Sequence, residues 1–295
     1  MDLKAIQEAC RDIEKKSGKG SIFLTGSKKK LDIPRWSTCI ESVDNLVGGG
    51  IPKGRIVEIY GAESSGKTSF VYWLMSLHER GLYIPIEGTY DEERAKSIGV
   101  KPKQMIVYRA NYGEEAINAV IKFAKAGIPI IAIDSVPACI PKEDTEKVEK
   151  DSQNEMKIGG TARLFSKSLP IIQRICEGTG TTLILVNQVR DKMNAMLFGE
   201  KEDTPGGRAI KFYSSIRIKV ARRAWIEIPN KNPAISSDSE KVGLIMKYKI
   251  VKSKVSNPYG ECEVPFFFDR GFASYEDIKT IRAELMKQRR EQFKT

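Results

Sequence analysis

Arg55-Ile56-Val57-Glu58-Ile59-Tyr60-Gly61-Ala62-Glu63-Ser64-Ser65-Gly66-Lys67-Thr68 is the stretch on which the fold turns. An apolar run that reads as a buried strand passes into G-x-x-x-x-G-K-T, and Phe70, Val71, Leu74, Met75 and Leu77 after it suit a helix. The spelling alone recurs by chance, so the flanking strand and helix carry the reading. Glycines let the backbone wrap phosphate groups, and the helix N-terminus points free N–H groups at the anion. Lys67 is placed to reach β- and γ-phosphates, and the Thr68 hydroxyl to bind Mg²⁺. The stretch therefore predicts a nucleoside triphosphate site.

Outward from it, apolar runs and helical patterns alternate. Strands are expected at 81–86, 105–109, 128–133 and 183–186, and helices at 92–98, 114–126 and 158–177. Continuous apolar runs separated by helices describe a mostly parallel sheet covered on both faces, an α/β class. From about 216 the strands come closer together (216–222, 242–254, 261–268), which predicts an antiparallel extension. Two polar stretches, 141–157 and 190–207, are too long for ordinary connections, and such loops are usually functional or disordered.

Composition narrows the class. The chain has 295 residues, 41% of them hydrophobic, enough for a sizeable core in one large domain with small appendages. A formal net charge of +11 favours an anionic partner such as nucleic acid, as supporting evidence only. Five cysteines without a C-x-x-C pair argue against a disulfide framework and fit a reducing compartment. The start Met1-Asp2-Leu3-Lys4 lacks a signal-peptide apolar stretch, and no apolar run approaches a membrane span. His78 is the only histidine, which argues against a Ser-His-Asp triad or a histidine-rich metal site and leaves it a solvated or packing role.

Three polar residues stand where strands end. Asp134 closes the 130–133 run, placing its carboxylate at the sheet's C-terminal edge near the phosphate loop, where it suits water-mediated Mg²⁺ binding opposite Thr68 or a simple turn cap. Glu87 follows the 82–86 run, where a carboxylate suits orienting or deprotonating a water, although its position alone does not decide this. Gln188 follows the 183–187 run, where an amide suits sensing a γ-phosphate and relaying it into 190–207.

Ile13-Glu14-Lys15-Lys16 with Gly18-Lys19-Gly20-Ser21-Ile22, the 54–61 strand, the phosphate loop, Asp134-Ser135-Val136, Asn187-Gln188-Val189-Arg190, Gly206-Gly207 and Lys211-Phe212-Tyr213 occur in one order. In that order they resemble the bacterial and phage RecA recombinase family, over nearly the whole chain to about Phe268. The resemblance implies a RecA-like core and a DNA-dependent ATPase. Such an enzyme forms filaments on single-stranded DNA and exchanges it with a homologous double-stranded partner, in the cytoplasm of a bacterial cell or phage-infected host. A ring-forming motor ATPase or helicase, and a DNA-coating regulatory ATP-binding protein, are the alternatives.

By position the resemblance makes Glu87 the catalytic glutamate, Asp134 the Mg²⁺-site aspartate and Gln188 the γ-phosphate sensor. It carries ATP contact to Gly61, Glu63, Ser64, Ser65, Gly66, Lys67, Thr68, Ser69, Asp91 and Phe268. Lys252 and Lys254 match a pair that reaches the neighbouring subunit's nucleotide, with a solvated strand face as the plainer reading; Lys211, Phe212 and Arg217 match residues coupling the interface to ATP and DNA. A first DNA loop maps to 151–158 with Arg163 just after it, and a second to 190–207. In the second, Arg190 is basic, as is Arg208 just after the loop, Met193, Met196, Leu197 and Phe198 suit insertion between bases, and Gly206 and Gly207 offer backbone N–H groups to phosphates. Leu3, Ile6, Cys10 and Ile13 form an apolar stripe on a helix matching the family's polymerisation helix. Departures are a second loop one residue longer, Asp191 after Arg190, Arg208 in place of an amide and Arg94 in place of an adenine-stacking tyrosine. The expected division is an N-terminal helix and strand at 1–35, a core at 36–269 and a reduced helical tail at 270–295.

Overall fold

The structure, a computed structural model, describes residues 2–18, Ile22, 33–88, 90–149, 159–191, 202–229 and 239–292. It divides into two compact units, Met1–Pro34 and Arg35–Thr295. In the first, α1 (Leu3–Ser17) starts where the Asp2 carboxylate accepts the Lys4 and Ala5 N–H groups and ends with Lys15 and Lys16 in its last turn, charges that complement the helix dipole at both ends.

The second unit opens with β1 (Arg35–Trp36), α2 (Glu41–Val47) and β2 (Ile51–Pro52), with β1 and β2 paired antiparallel. The chain then alternates strand and helix: β3 (Ile56–Gly61), α3 (Lys67–Ser76), β4 (Gly81–Pro85), α4 (Glu92–Ser97), β5 (Met105–Val107), α5 (Gly113–Lys125) and β6 (Ile130–Asp134). After it come α6 (Lys142–Glu149), α7 (Gly160–Thr179), β7 (Thr182–Gln188), β8 (Arg190–Asp191), β9 (Glu202–Asp203) and α8 (Gly207–Tyr213). Last are β10 (Ile216–Pro229), β11 (Ser239–Ser253), β12 (Glu261–Phe267), β13 (Gly271–Phe272) and α9 (Asp277–Gln292).

One sheet runs in the order β13-β12-β11-β10-β3-β7-β6-β4-β5, parallel from β10 to β5 and antiparallel from β10 to β13. Alternate residues of the central strands point to opposite layers: Val57, Ile59, Ile184 and Val186 join a core with Phe70, Tyr72 and Met75, while Leu183, Leu185, Ile131 and Ile133 join one with Phe165, Leu169 and Ile172. Burial on both faces is why these strands read as unbroken apolar runs. Helix α5 buries Ala116, Ile117, Val120 and Ala124, and α7 buries Phe165, Leu169, Ile172 and Cys176, each at spacings of three and four. A third cluster joins Ile226, Ile228, Val242 and Phe267 to Ile281 and Leu285 of α9.

Two elements differ from the sequence expectation. Residues 142–149, read as part of a long polar connection, form α6: the Pro141 carbonyl accepts the Asp144 and Thr145 N–H groups at 3.0 Å each, and the Glu114 carboxylate accepts the Lys142 N–H at 2.9 Å. The ends of the 190–207 stretch are closed by β8 and β9, paired through Arg190 opposite Asp203 and Asp191 opposite Glu202. The expected first DNA loop, 151–158, and Met193, Met196, Leu197 and Phe198 lie outside the described residues. Among the described residues no helix is long and apolar enough to cross a membrane.

Candidate active site

Parallel register brings the functional turns to one edge. Gly61 lies level with Gln188 across β3 and β7, and Pro85 level with Asp134 across β4 and β6, so the turns that follow these strands face one cleft of about 510 Å³. Its lining includes Glu63, Ser64, Ser65, Gly66, Lys67, Thr68 and Ser69 of the phosphate loop, and Glu87, Asp91, Asp134, Gln188 and Phe268. Gly61 is absent from that lining. A Cβ there would meet the Val220 carbonyl oxygen of β10 at 2.0 Å, so close approach of two strands demands the glycine. Gly66 takes a left-handed φ of 93° as it leads into α3, a conformation that glycine adopts without strain.

Inside the cleft the polar groups bond one another. The Lys67 ammonium donates to the carbonyls of Gly61 at 3.0 Å and Ala62 at 2.7 Å. Burial lowers its pKa from the ordinary value, opposed by the charges of Asp134, Glu87 and Glu63. The Thr68 hydroxyl and the Tyr83 hydroxyl both donate to Asp134 Oδ2 at 2.8 Å. Burial and then the nearby Glu87 charge raise the Asp134 pKa, while those two hydroxyl donors oppose the rise. Gln188 Nε2 donates to Glu87 Oε1 at 2.7 Å, and the Ser135 hydroxyl donates to the other oxygen of Glu87. A cation between Thr68 and Asp134 would meet a hydroxyl and a carboxylate, hard oxygen donors of the kind Mg²⁺ takes alongside phosphate oxygens. Among the described residues no cluster of three or more His, Cys, Asp or Glu could hold a metal without such help.

The sequence reading missed several groups here. Tyr83 is a hydroxyl-bearing residue in an otherwise aliphatic buried strand, a signal that was available, whereas nothing local marks Ser135 as the partner of Glu87. Trp225 and Leu244 add apolar surface beside Phe268, with the Arg222 guanidinium 4.2 Å and the Lys241 ammonium 4.8 Å from the Trp225 ring centre. Arg94 lines the same cleft and donates to the Ser69 hydroxyl at 2.9 Å.

Other expected residues lie elsewhere. Lys252 and Lys254 are outside the cleft lining; both ammonium groups donate to the Phe212 carbonyl, at 3.0 and 2.6 Å, and Lys252 also to that of Lys211 at the end of α8. Burial, then the charges of Lys254 and Arg217, bring the Lys252 pKa down to about 8. The Phe212 ring is 65% exposed with the Lys254 ammonium 5.0 Å from its centre, and Lys211 pairs with Asp203. Arg217 pairs with Glu58. Arg163 lies exposed in the first turn of α7, and Arg190 and Arg208 are exposed at the two ends of the second loop, the latter beside buried Gly206 and half-buried Gly207 at the start of α8.

The RecA N-terminal domain family matches residues 4–273. Protein RecA of Thermus aquaticus is 34% identical over 284 residues, 94% of this chain and 80% of that protein. Protein RecA of Deinococcus radiodurans is 36% identical, over 96% of this chain and 76% of that protein, and Protein RecA of Mycoplasma mobile is 37% identical, over 93% and 80%. These relatives do not favour a ring-forming motor or a purely DNA-coating protein. With a phosphate-loop motif opening on a cleft of a RecA-like sheet and matches over nearly its whole length, the chain belongs to the RecA family of DNA-dependent recombinase ATPases.

Proposed function

We propose that the cleft hydrolyses ATP with Mg²⁺ and that hydrolysis is tied to filament assembly on single-stranded DNA and exchange with a homologous duplex. The observation that carries this reading is the direct Glu87–Gln188 hydrogen bond in a cleft whose floor is Lys67, Thr68 and Asp134. Lys67 exchanges its two loop carbonyls for the β- and γ-phosphate oxygens and holds their charge. Thr68 would offer a hydroxyl to a bound cation, and Asp134 would help hold it with its carboxylate. When bound, Mg²⁺ neutralises charge that develops on the phosphates. Glu87 takes the proton of the attacking water, and Gln188 orients that carboxylate and contacts the γ-phosphate. Asp91 and Phe268 border the nucleoside, with Phe268 supplying apolar surface.

Lys252 and Lys254 act on the nucleotide of a neighbouring copy, with Lys211, Phe212 and Arg217 transmitting assembly. Helix α1 serves as the polymerisation handle. Arg163, Arg190 and Arg208 contact DNA phosphates, Met193, Met196 and Phe198 contact bases, and Gly206 and Gly207 offer N–H groups. The division into an N-terminal appendage, an ATPase core and a short helical tail serves assembly, chemistry and a reduced C-terminal role in turn, in the cytoplasm of a bacterial or phage-infected cell.

The test measures ATP turnover with and without single-stranded DNA, then exchange of a homologous duplex strand. Turnover that DNA does not raise would remove the DNA-dependent reading. DNA-stimulated turnover with normal filaments and no exchange would favour the DNA-coating alternative.

A further inference from the structure

Glu58 lies in the middle of β3 with no solvent exposure, yet it belongs to none of the groups lining the nucleotide cleft. A buried carboxylate needs partners, and both of its oxygens have one. Asn187 Nδ2 donates to Oε1 at 2.9 Å, and Arg217 Nε donates to Oε2. Those two partners share a second target. Asn187 Nδ2 also donates to the Pro205 carbonyl at 2.9 Å, and Arg217 donates to the Thr204 hydroxyl at 3.2 Å. The guanidinium is further held over the Tyr60 ring, 4.8 Å from its centre.

Thr204 and Pro205 form the arm between β9 and α8, so one carboxylate fixes two successive residues at the exit of the second loop. On the other side, Asn187 precedes Gln188 in β7, and its own side-chain oxygen accepts the Gln188 N–H at 2.9 Å. Gln188 then bonds Glu87. A continuous set of bonds therefore runs from the Glu87–Gln188 pair through Asn187 to Glu58, and from Glu58 to the arm. The arm continues into α8, whose last carbonyls hold Lys252 and Lys254. Removing one partner of a buried charge pair strands the other, so a set of this kind resists gradual deformation and favours discrete arrangements.

We infer that Glu58 is a positioning residue: its buried carboxylate locks the exit arm of the second loop to the Asn187–Gln188 strand end, so that DNA held by the loop sets the state of the Glu87–Gln188 pair. This rests on the DNA-stimulated ATPase reading above. Glu58 touches no nucleotide and performs no proton transfer. A purely structural carboxylate, present only to neutralise Arg217, predicts loss of fold stability and nothing specific to DNA.

The two roles separate in Glu58→Gln and Thr204→Val. Glutamine keeps the shape but replaces one acceptor oxygen by a donor amide, so Arg217 and Asn187 can no longer both be satisfied. Valine at 204 removes only the Arg217 contact to the arm and leaves the Glu58–Arg217 pair whole. ATP affinity, DNA-free turnover and DNA-stimulated turnover are measured on each full-length variant, together with the tightening of single-stranded DNA binding by ATP. In Glu58→Gln, ATP affinity and DNA-free turnover hold, while stimulation by DNA falls by at least about fivefold, the low end of typical site-to-site coupling. The tightening of DNA binding by ATP shrinks as well, and by reciprocal linkage the tightening of ATP binding by DNA shrinks by the same factor. Thr204→Val shows the same pattern, smaller. Equal loss of DNA-free and DNA-stimulated turnover in Glu58→Gln assigns a structural role and overturns the inference. So does full stimulation in both variants. If Glu58→Gln does not fold, undiminished stimulation in Thr204→Val decides against it. Wild-type turnover indifferent to DNA would instead remove the underlying function, a result distinct from a stimulated wild type with equally stimulated variants.

Discussion

In the parallel half of the sheet the candidate side chains stand at or just past the C-terminal ends of β4, β6 and β7 and at the start of α3, and bond to one another within one chain: Thr68 to Asp134, Gln188 to Glu87. In the antiparallel half, the ammonium groups of Lys252 near the end of β11 and of Lys254 just past it donate to carbonyls of α8, outside the cleft lining. The first half gathers its polar groups into one cleft by strand register. The second sets two lysines away from that cleft. In the function proposed above, chemistry and assembly are divided between two halves of one sheet.

The comparison breaks most readily at Lys67. Lys67→Ala should lower ATP turnover by about 10³-fold, as removal of one preorganised charge contact can do, and abolish strand exchange. Near-normal turnover in that variant would mean that the parallel half does not hold the nucleotide.

Glu87→Gln probes the same half with a smaller change. Turnover should fall by about 10²-fold with ATP and DNA binding retained, since a general base is lost and the shape kept. Its filaments should persist on DNA. Loss of ATP binding would make Glu87 a structural partner of Gln188 and Ser135.

The other half is sharpened by the double variant Lys252→Ala, Lys254→Ala. Partial solvent contact screens these charges, so turnover should fall by about tenfold, or roughly 1.4 kcal/mol in the barrier, with ATP binding intact. Mixed with Glu87→Gln, it should recover part of that turnover, because one of the two mixed junctions sets an intact Glu87 against intact lysines. No recovery at any ratio, with wild-type turnover independent of concentration, would return the lysines to their own chain.

The smallest effect lies past the C-terminal end of α3, outside the cleft lining. His78 follows α3, packs its ring 4.2 Å from that of Trp36, and is held by burial, and by Lys53, at a pKa of about 4 against an ordinary 6.5. Between these values the unfolded chain binds a proton that the folded chain refuses. Stability is therefore fully present above about 6.5 and declines as pH falls toward about 4. His78→Gln should flatten thermal melts across this window by at most a few degrees, with ATP turnover at neutral pH unchanged. Melting temperatures with the same pH slope in both proteins would free His78 of that role.

The parallel half was legible because burial on both faces writes itself as runs such as 130–133 and 183–186, and because register then brings their terminal residues together. Contacts that close over long separations were not. Arg217 meets Glu58 across 159 residues and Gln188 meets Glu87 across 101, and no local pattern encodes either. Helix α6 escaped notice for a different reason: Lys142-Glu143-Asp144-Thr145-Glu146 has no apolar stripe, and its first turn depends on Pro141 and Glu114. The length of β10 was underread because Arg222, Arg223 and Ala224 are exposed in succession at a register shift against β11, which interrupts the alternation.

The first glycine of the phosphate motif bears on how a mutational screen of this chain should be interpreted. Its missing Cβ makes room for the Val220 carbonyl, so any replacement at 61 would push β3 and β10 apart before a nucleotide is encountered. Inactive variants at 61 would then be found among misfolded or degraded protein, whereas inactive variants at 67 would accumulate as folded protein. Abundance measured beside activity would sort the motif into positions answerable to the sheet and positions answerable to the ligand, a partition that the eight-letter pattern itself conceals.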